Sequence, residues 1–302
     1  MFKERLAVII PTKDRPDGLF RLLENITLQN IKPSQIIVVD GGIVPAKTVV
    51  DKFSGLRIIY RKTPPSLTLQ RNIGIRMLPK EITIVSFFDD DIILKEDALR
   101  NMMEFWEKAL PEVGGTAYSI ISEAYVKPNF FEKLFFVNTE KPGKVMKSGF
   151  LSQMSSLKEI TEVQWLSGCA TAWRRHIFNE FMYDERFSGY GRHEDADFSY
   201  RVGKKYKLYV VTDAKVEHLK SKRKEDAEFS YALGKMQIVN TYYFVMKNKE
   251  LSRALSIWSL FGLFLNNAIK GIVRSNVDYI NCAKGNLAGF KGLLSGKIFD
   301  KN

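Results

Sequence analysis

Three consecutive carboxylates, Asp89-Asp90-Asp91, follow directly on the apolar run at 82–88. Charges this close repel one another strongly unless a cation is shared among them. A divalent metal meets that need: oxygen ligands of this kind suit Mg²⁺ or Mn²⁺, held by one or two carboxylates and completed by substrate phosphates. A second group of acids, Glu194-Asp195-Ala196-Asp197, stands between the loop residues Gly189-Tyr190-Gly191-Arg192-His193 and a helix-like stretch at 198–202. A carboxylate at such a helix start, near a metal crevice, suits a general base. Each group also has a plain reading. Asp89 to Asp91 would cap a helix starting near Lys95, Asp40-Gly41-Gly42 is ordinary turn chemistry, and one acid near 194 would serve as an N-cap.

These residues need a frame that brings them together. Short runs rich in Ile and Val at 6–10, 35–39, 56–60 and 82–88 read as buried parallel strands. Between them, Leu19, Leu22, Leu23 and Ile26 recur at helical spacing after Pro16, as do Leu69, Ile73 and Met77, and then Leu99, Met102, Met103 and Trp106. Alternating strands and helices predict an α/β sheet, which binds ligands beyond the carboxyl ends of its strands. The first strand ends in Pro11-Thr12-Lys13-Asp14-Arg15, the second in Asp40 and the fourth in Asp89 to Asp91, so the acids converge on one crevice. From 114 to 164 the pattern is irregular, with glycines, prolines and aromatic pairs that suit an acceptor site. Beyond Val216 it is mostly helical, and no internal repeat or low-complexity segment occurs.

In its order of motifs the chain resembles family-2 inverting glycosyltransferases of the GT-A fold, over residues 6–219. The resemblance rests on Val8-Ile9-Ile10-Pro11-Thr12-Lys13-Asp14-Arg15-Pro16, Ile37-Val38-Val39-Asp40, Arg71-Asn72-Ile73-Gly74, Phe88-Asp89-Asp90-Asp91, Trp165-Leu166-Ser167-Gly168 and Glu194-Asp195-Ala196-Asp197. It implies a GT-A domain at 1–220 with a mostly parallel central sheet and a helical, basic C-terminal extension at 221–302. It further implies a nucleotide-diphosphate sugar as donor, bound by Pro11, Thr12, Asp14, Arg15 and Asp40, with Thr12, Asp14 and Asp40 at the nucleoside and Arg71 near the diphosphate. Asp89 would meet the ribose or a metal-bound water, Asp91 would ligate a divalent metal (Mn²⁺ or Mg²⁺), and Asp90 is the middle member of the motif. Asp195 would be the catalytic base, with Glu194 orienting it or the acceptor. His218 matches a position where some members place a metal or phosphate ligand; a lone histidine is also often structural.

Composition excludes several classes. The first strand's turn has no glycine and therefore no dinucleotide fingerprint, and no P-loop occurs. Cys169 and Cys282 are too few for a disulfide framework and lie in no zinc-binding pattern, which fits a reducing compartment. The charged start at Lys3, Glu4 and Arg5 leads too soon into an apolar run for a secretory signal, so a cytoplasmic location is expected. A sugar-nucleotide nucleotidyltransferase shares metal carboxylates and an α/β sheet. A nucleic-acid binder would use the net charge of +12, yet the sheet's binding edge is acidic, and no nucleic acid is expected. From 247 to 302 there are nine Lys or Arg and three acids, a net +6. The stretch at 254–273 approaches the length of a membrane span, but Asn266, Asn267 and Lys270 oppose one. It reads instead either as a helix packed on the core or as a peripheral attachment to the inner face of the cell membrane. In the second case Lys270, Arg274, Lys284, Lys291 and Lys297 would meet anionic head groups, and the acceptor would be a saccharide or a lipid-linked one.

Overall fold

A computed structural model describes residues 2–187, 191–219 and 227–296. Gly189 and Tyr190 of the loop before Glu194, and Lys297 of the basic tail, lie outside the described residues. The chain forms two compact units. The first comprises Met1–Tyr125 and Met154–Lys220, the second Val126–Gln153 and Ser221–Asn302.

The first unit is built on a nine-stranded sheet. Its strands are β1 (Leu6–Thr12), β2 (Gln35–Asp40), β3 (Ile58–Lys62), β4 (Ile84–Phe88), β5 (Ile92–Leu94), β6 (Val113–Ile120), β7 (Thr161–Val163), β8 (Ala170–Arg174) and β9 (Lys207–His218). The order is β3-β2-β1-β4-β8-β6-β9-β5, with β7 beside β9. Pairing is parallel from β3 through β4 and mixed beyond, where β8 runs antiparallel to both β4 and β6. The β1 residues are buried on both faces, as expected of a central strand covered on each side. Val8 and Ile10 point to a core with Leu19, Leu22, Leu23 and Ile26 of α1 (Pro16–Leu28) and with Trp106 of α4 (Ala98–Lys108). Ala7 and Ile9 point to the opposite core with Phe87, Trp173 and Phe198. Burying each such aliphatic side chain contributes roughly 1.5–3 kcal/mol.

Several elements that position the crevice are silent in the periodicity. β6 carries Gly114 and Gly115, because a Cβ at Gly115 would lie 2.4 Å from the Trp173 ring and one at Gly114 would lie 2.6 Å from Tyr206. α3 (Leu67–Arg76), by contrast, is the helix read from Leu69, Ile73 and Met77, and it lies close on β1 because Gly74 leaves room for Ile9, whose methyl would be 2.5 Å from any Cβ there. β5 starts four residues after β4 ends but pairs with the far end of β9, Ile92 opposite His218. The acidic turn thus bridges the middle of the sheet and its edge.

The second unit contains α5 (Phe130–Leu134), α7 (Ala227–Lys247), α8 (Arg253–Val273) and α9 (Val277–Ser295); α2 (Lys47–Val50) and α6 (Glu194–Gly203) belong to the first. Asn129 and Glu132 form a capping box that starts α5. α7 and α9 pack closely through small residues. A Cβ at Gly234 would meet the Cys282 carbonyl oxygen at 2.1 Å, and one at Gly285 the Tyr231 carbonyl oxygen at 2.0 Å.

Candidate active site

Sequence reasoning places the chemistry at the strand ends, and the hydrogen bonds there define what each residue does. Asp40 closes β2 and is fully buried. Its carboxylate accepts from the N–H groups of Gly42 (2.7 Å) and Ala46 (2.9 Å), from the Tyr60 hydroxyl (2.8 Å) and from Lys62 Nζ (3.3 Å). Burial acts to raise its pKa, but these donors outweigh it and hold the group below the usual carboxylate value. Asp40 therefore braces the loop that follows β2. Asp14, with a left-handed φ of 53°, secures the same loop by accepting from Ile43 N (2.6 Å) and Val44 N (3.0 Å).

Asp90 faces inward. Its carboxylate accepts from Thr12 Oγ1 at 2.7 Å and Arg15 Nη1 at 2.8 Å. Gly18 at the start of α1 makes this packing possible, since a Cβ there would lie 2.7 Å from the Asp90 carbonyl oxygen. The same Arg15 nitrogen reaches Asp91 Oδ2 at 2.8 Å. Pro11 is buried in register with Val39. Thr12 and Arg15 thus join the acidic turn to the β1–α1 loop.

Asp91 Oδ1 is buried, and among the described residues no donor completes a well-aligned hydrogen bond to it. His218 Nε2 stands 3.3 Å away, and His218 Nδ1 is 3.9 Å from Glu123. The neighbouring carboxylates of Asp91 and Glu123 lift His218 to about 10, so in the ion-free protein a positive charge faces Asp91. Burial opposes ionisation of Asp91, but His218 and Arg15 pull its pKa down. With the His218 proton displaced, the Asp91 oxygen and the imidazole form a donor set that fits a divalent cation. Among the described residues no group of three or more His, Cys, Asp or Glu side chains forms a ready cage.

Arg71, on α3, is 1% exposed. Nη1 donates to Glu194 Oε1 at 2.8 Å, while Nη2 contacts Asp89 Oδ1 at 3.2 Å and the Gly168 carbonyl oxygen at 3.0 Å. Its guanidinium also lies 5.2 Å from the Tyr183 ring centre. The Gly168 N–H in turn donates to Asp195 Oδ2 at 3.0 Å. A side chain at Gly168 would crowd Asp195 Cβ at 2.9 Å and both Arg71 terminal nitrogens at 3.0 Å. Asp89 and the α6 acids are therefore linked through one guanidinium and one peptide. Burial raises Asp89 to about 6 against the pull of Arg71, and burial together with Asp195 raises Glu194 to about 8. Asp195 is half-buried at the first turn of α6, and its Oδ1 accepts from Ala196 N at 2.7 Å. The N-cap position belongs to His193 in left-handed conformation, without a side-chain cap. Asp197 is fully buried and pairs with Arg201 Nε at 2.9 Å.

Residues 7–157 match the description of glycosyl transferase family 2. The chain belongs to that family. The mannosyltransferase PcManGT from Pyrobaculum calidifontis, solved with GDP-Man and Mn²⁺, aligns over 99% of this chain and 81% of its own at 14% identity and a TM-score of 0.58. S. aureus TarS aligns over 93% of this chain at 13% identity and a TM-score of 0.54, this chain spanning 55% of the TarS length. TarS 1-349 in complex with UDP-GlcNAc aligns over 92% of this chain and 79% of its own, at 15% identity and a TM-score of 0.55. At these identities the likeness is one of fold, the GT-A fold. No curated protein matches the chain significantly in sequence.

Within this family-2 fold the structure groups Thr12, Arg15, Asp90, Asp91 and His218 on one side, and Arg71, Asp89, Glu194 and Asp195 on the other. Asp14 and Asp40 both hold the loop that follows β2. Periodicity and motif order did not single out Gln70, whose amide donates to the Thr12 (2.8 Å) and Val39 (2.7 Å) carbonyl oxygens and ties β1 to β2. Glu123 was equally silent, since it falls in the irregular region after β6.

Proposed function

We propose that the chain is an inverting, metal-dependent glycosyltransferase that moves a sugar from a nucleotide-diphosphate donor to the hydroxyl of a saccharide or lipid-linked acceptor in surface-glycan or glycolipid assembly. The observation that carries this reading is the link from Asp89 through Arg71 and Gly168 to Asp195, which joins the acidic turn to a half-buried carboxylate. A divalent ion on Asp91, with Asp89 and His218 near it, would neutralise charge growing on the leaving diphosphate. Asp195 Oδ1 and Oδ2 each accept one backbone N–H, which fixes the carboxylate's direction and leaves lone pairs for an acceptor hydroxyl. As the acceptor oxygen attacks the anomeric carbon, the bond to the phosphate oxygen breaks and the hydroxyl proton passes to Asp195. One displacement inverts the anomeric centre. Glu194, buried against Arg71, holds the α6 start in place.

The ligands in the neighbouring structures, GDP-Man with Mn²⁺ and UDP-GlcNAc, support a nucleotide-sugar donor and a divalent ion. The test is a panel of nucleotide sugars, each with Mn²⁺ or Mg²⁺, read by thermal protection and by release of nucleoside diphosphate. One donor is expected to protect the protein and turn over only with the ion. Consumption of a nucleoside triphosphate and a sugar phosphate, with no nucleotide-sugar turnover, would assign the site to nucleotidyl transfer instead.

A further inference from the structure

α8 is built with its polarity reversed. At 100° per residue, Ile257, Trp258, Phe261, Ile269, Ile272 and Val273 cover an outward arc of about 160°, and all are exposed, Val273 by 77%. The residues turned inward are Ser256, Ser259, Leu260, Asn267 and Gly271, while Gly262, on the outward arc, is covered by Phe135. Asn267 there donates to Asn286 Oδ1 at 2.9 Å, and Asn286 donates to the Gly234 carbonyl oxygen at 2.7 Å. A helix facing water normally does the opposite. Large apolar groups outside with small and amide residues between helices is the arrangement of helices solvated by lipid.

α5 extends the face. Trp258 Nε1 donates to the Leu134 carbonyl oxygen at 3.0 Å, its ring stacks on Phe135, and Phe135 fills the space left by Gly262. Phe130, Leu134 and Phe136 remain exposed, Phe130 by 81%. Along α9 the exposed positions alternate between apolar and basic, namely Val277, Lys284, Leu287, Lys291 and Leu294. Arg253 and Arg274 flank α8.

We infer that this face of the second unit lies in the interface of an anionic lipid bilayer, with the α8 arc and the α5 aromatics among the acyl chains and Arg253, Arg274, Lys284 and Lys291 at the head groups. Charge selects this occupant: residues 247–302 carry a net +6, which a second copy would repel and anionic lipid would attract. α8 is long and apolar enough to cross a membrane, but a crossing by this helix group would carry the exposed Lys235, Lys284 and Lys291 into hydrocarbon, so the helices lie in the interface. The inference rests on the second unit alone and does not depend on which sugar is transferred.

The test is co-sedimentation of the full chain with phosphatidylcholine vesicles, with and without phosphatidylglycerol, compared with an Ile257→Ser/Phe261→Ser/Ile269→Ser variant whose thermal melt confirms that it folds. The parent is expected to pellet with the anionic vesicles, and the variant to partition at least about tenfold more weakly, each substitution removing an inserted side chain. Trp258 fluorescence, taken as the difference between the parent and Trp258→Phe, is expected to be quenched by brominated lipid. A parent that stays in the supernatant, a variant that pellets equally, or a Trp258 signal blind to the quencher each overturns the inference. So does a parent dimer in sedimentation velocity that the triple variant abolishes without any vesicle binding, which would assign the face to a second copy. Vesicle binding is measured without donor, so its failure and a failure of transferase activity are read separately.

Discussion

Replacing Arg71 by Met tests the central link of the site. The substitution keeps an unbranched side chain over Tyr183 but removes the guanidinium that faces Glu194, Asp89 and the Gly168 carbonyl oxygen. Above about pH 8, where Glu194 is ionised and where the comparison is made, breaking this buried ion pair from one side costs about 3–5 kcal/mol. The stranded carbonyl of Gly168 adds about 1 kcal/mol. Asp89 is 31% exposed, so its share is about 0–1 kcal/mol because water screens it. The sum, about 4–7 kcal/mol, is a large part of a native stability of about 5–15 kcal/mol and corresponds to a fall in Tm of roughly 10–20 °C. Adding Glu194→Gln, which removes the stranded buried carboxylate, is expected to restore about 1–3 kcal/mol. The assay is thermal unfolding of the parent, both single variants and the double variant, followed by steady-state kinetics of any variant that stays folded. The kinetics should show kcat falling while the donor KM stays within a few-fold, because Arg71 is spent on protein groups. A Tm within about 2 °C of the parent, or a double variant less stable than Arg71→Met, would refute the reasoning. A large rise in donor KM at constant kcat would move Arg71 to the diphosphate.

Asp195→Asn is expected to lower transfer by about 10² to 10⁴ while donor protection in a thermal melt persists, since the amide cannot take the acceptor's proton; a kcat within a few-fold of the parent removes Asp195 as the base. Chelation should abolish turnover, with Mn²⁺ or Mg²⁺ restoring it and Asp91→Asn needing far more ion for the same rate; full activity in chelator contradicts the metal assignment. Asp40 has a folded pKa below its ordinary value of 3.8, so the unfolded chain binds more protons and its contribution is complete above that value and fades as pH falls through the lower folded one. The Tm gap between the parent and Asp40→Asn should therefore be wide at pH 7 and narrow progressively as pH falls below 3.8, and a gap independent of pH would show that the charge of Asp40 is not what holds the loop.

The strands and helices that could be read in the sequence are those whose surroundings are uniform. β1, β2 and β4 lie between two apolar layers, so nearly every residue in them is apolar, and α1 and α4 each turn one stripe to a single core. β6 was hidden because two of its side chains are deleted to admit Trp173 and Tyr206, contacts set by strands and helices distant in sequence. β5 has three residues, too few to show a period. At the site, residue type announced the acids but not their direction. Asp90 and Asp91 are neighbours in one turn, yet one is pinned inward by Thr12 and the other keeps an oxygen without a well-aligned donor among the described residues. The outward polarity of α8 is equally absent from its composition, since only the packing shows which arc of an apolar helix is left uncovered.

The pairing of β5 with β9 bears on how the protein is made. Asp89 N is held by the Cys169 carbonyl oxygen at 2.9 Å, and the Asp91 carbonyl oxygen by Leu219 N at 2.9 Å. The turn between them thus waits for chain synthesised about eighty and about 130 residues later, and contacts of such separation form late in folding. Until β9 docks, the turn has Thr12, Arg15 and Arg71 to pair with but lacks the Leu219 N–H and His218. A shorter fragment therefore carries every acid of the turn without the direction that β9 gives to Asp91, and the crevice is complete only when the last strand of the sheet closes.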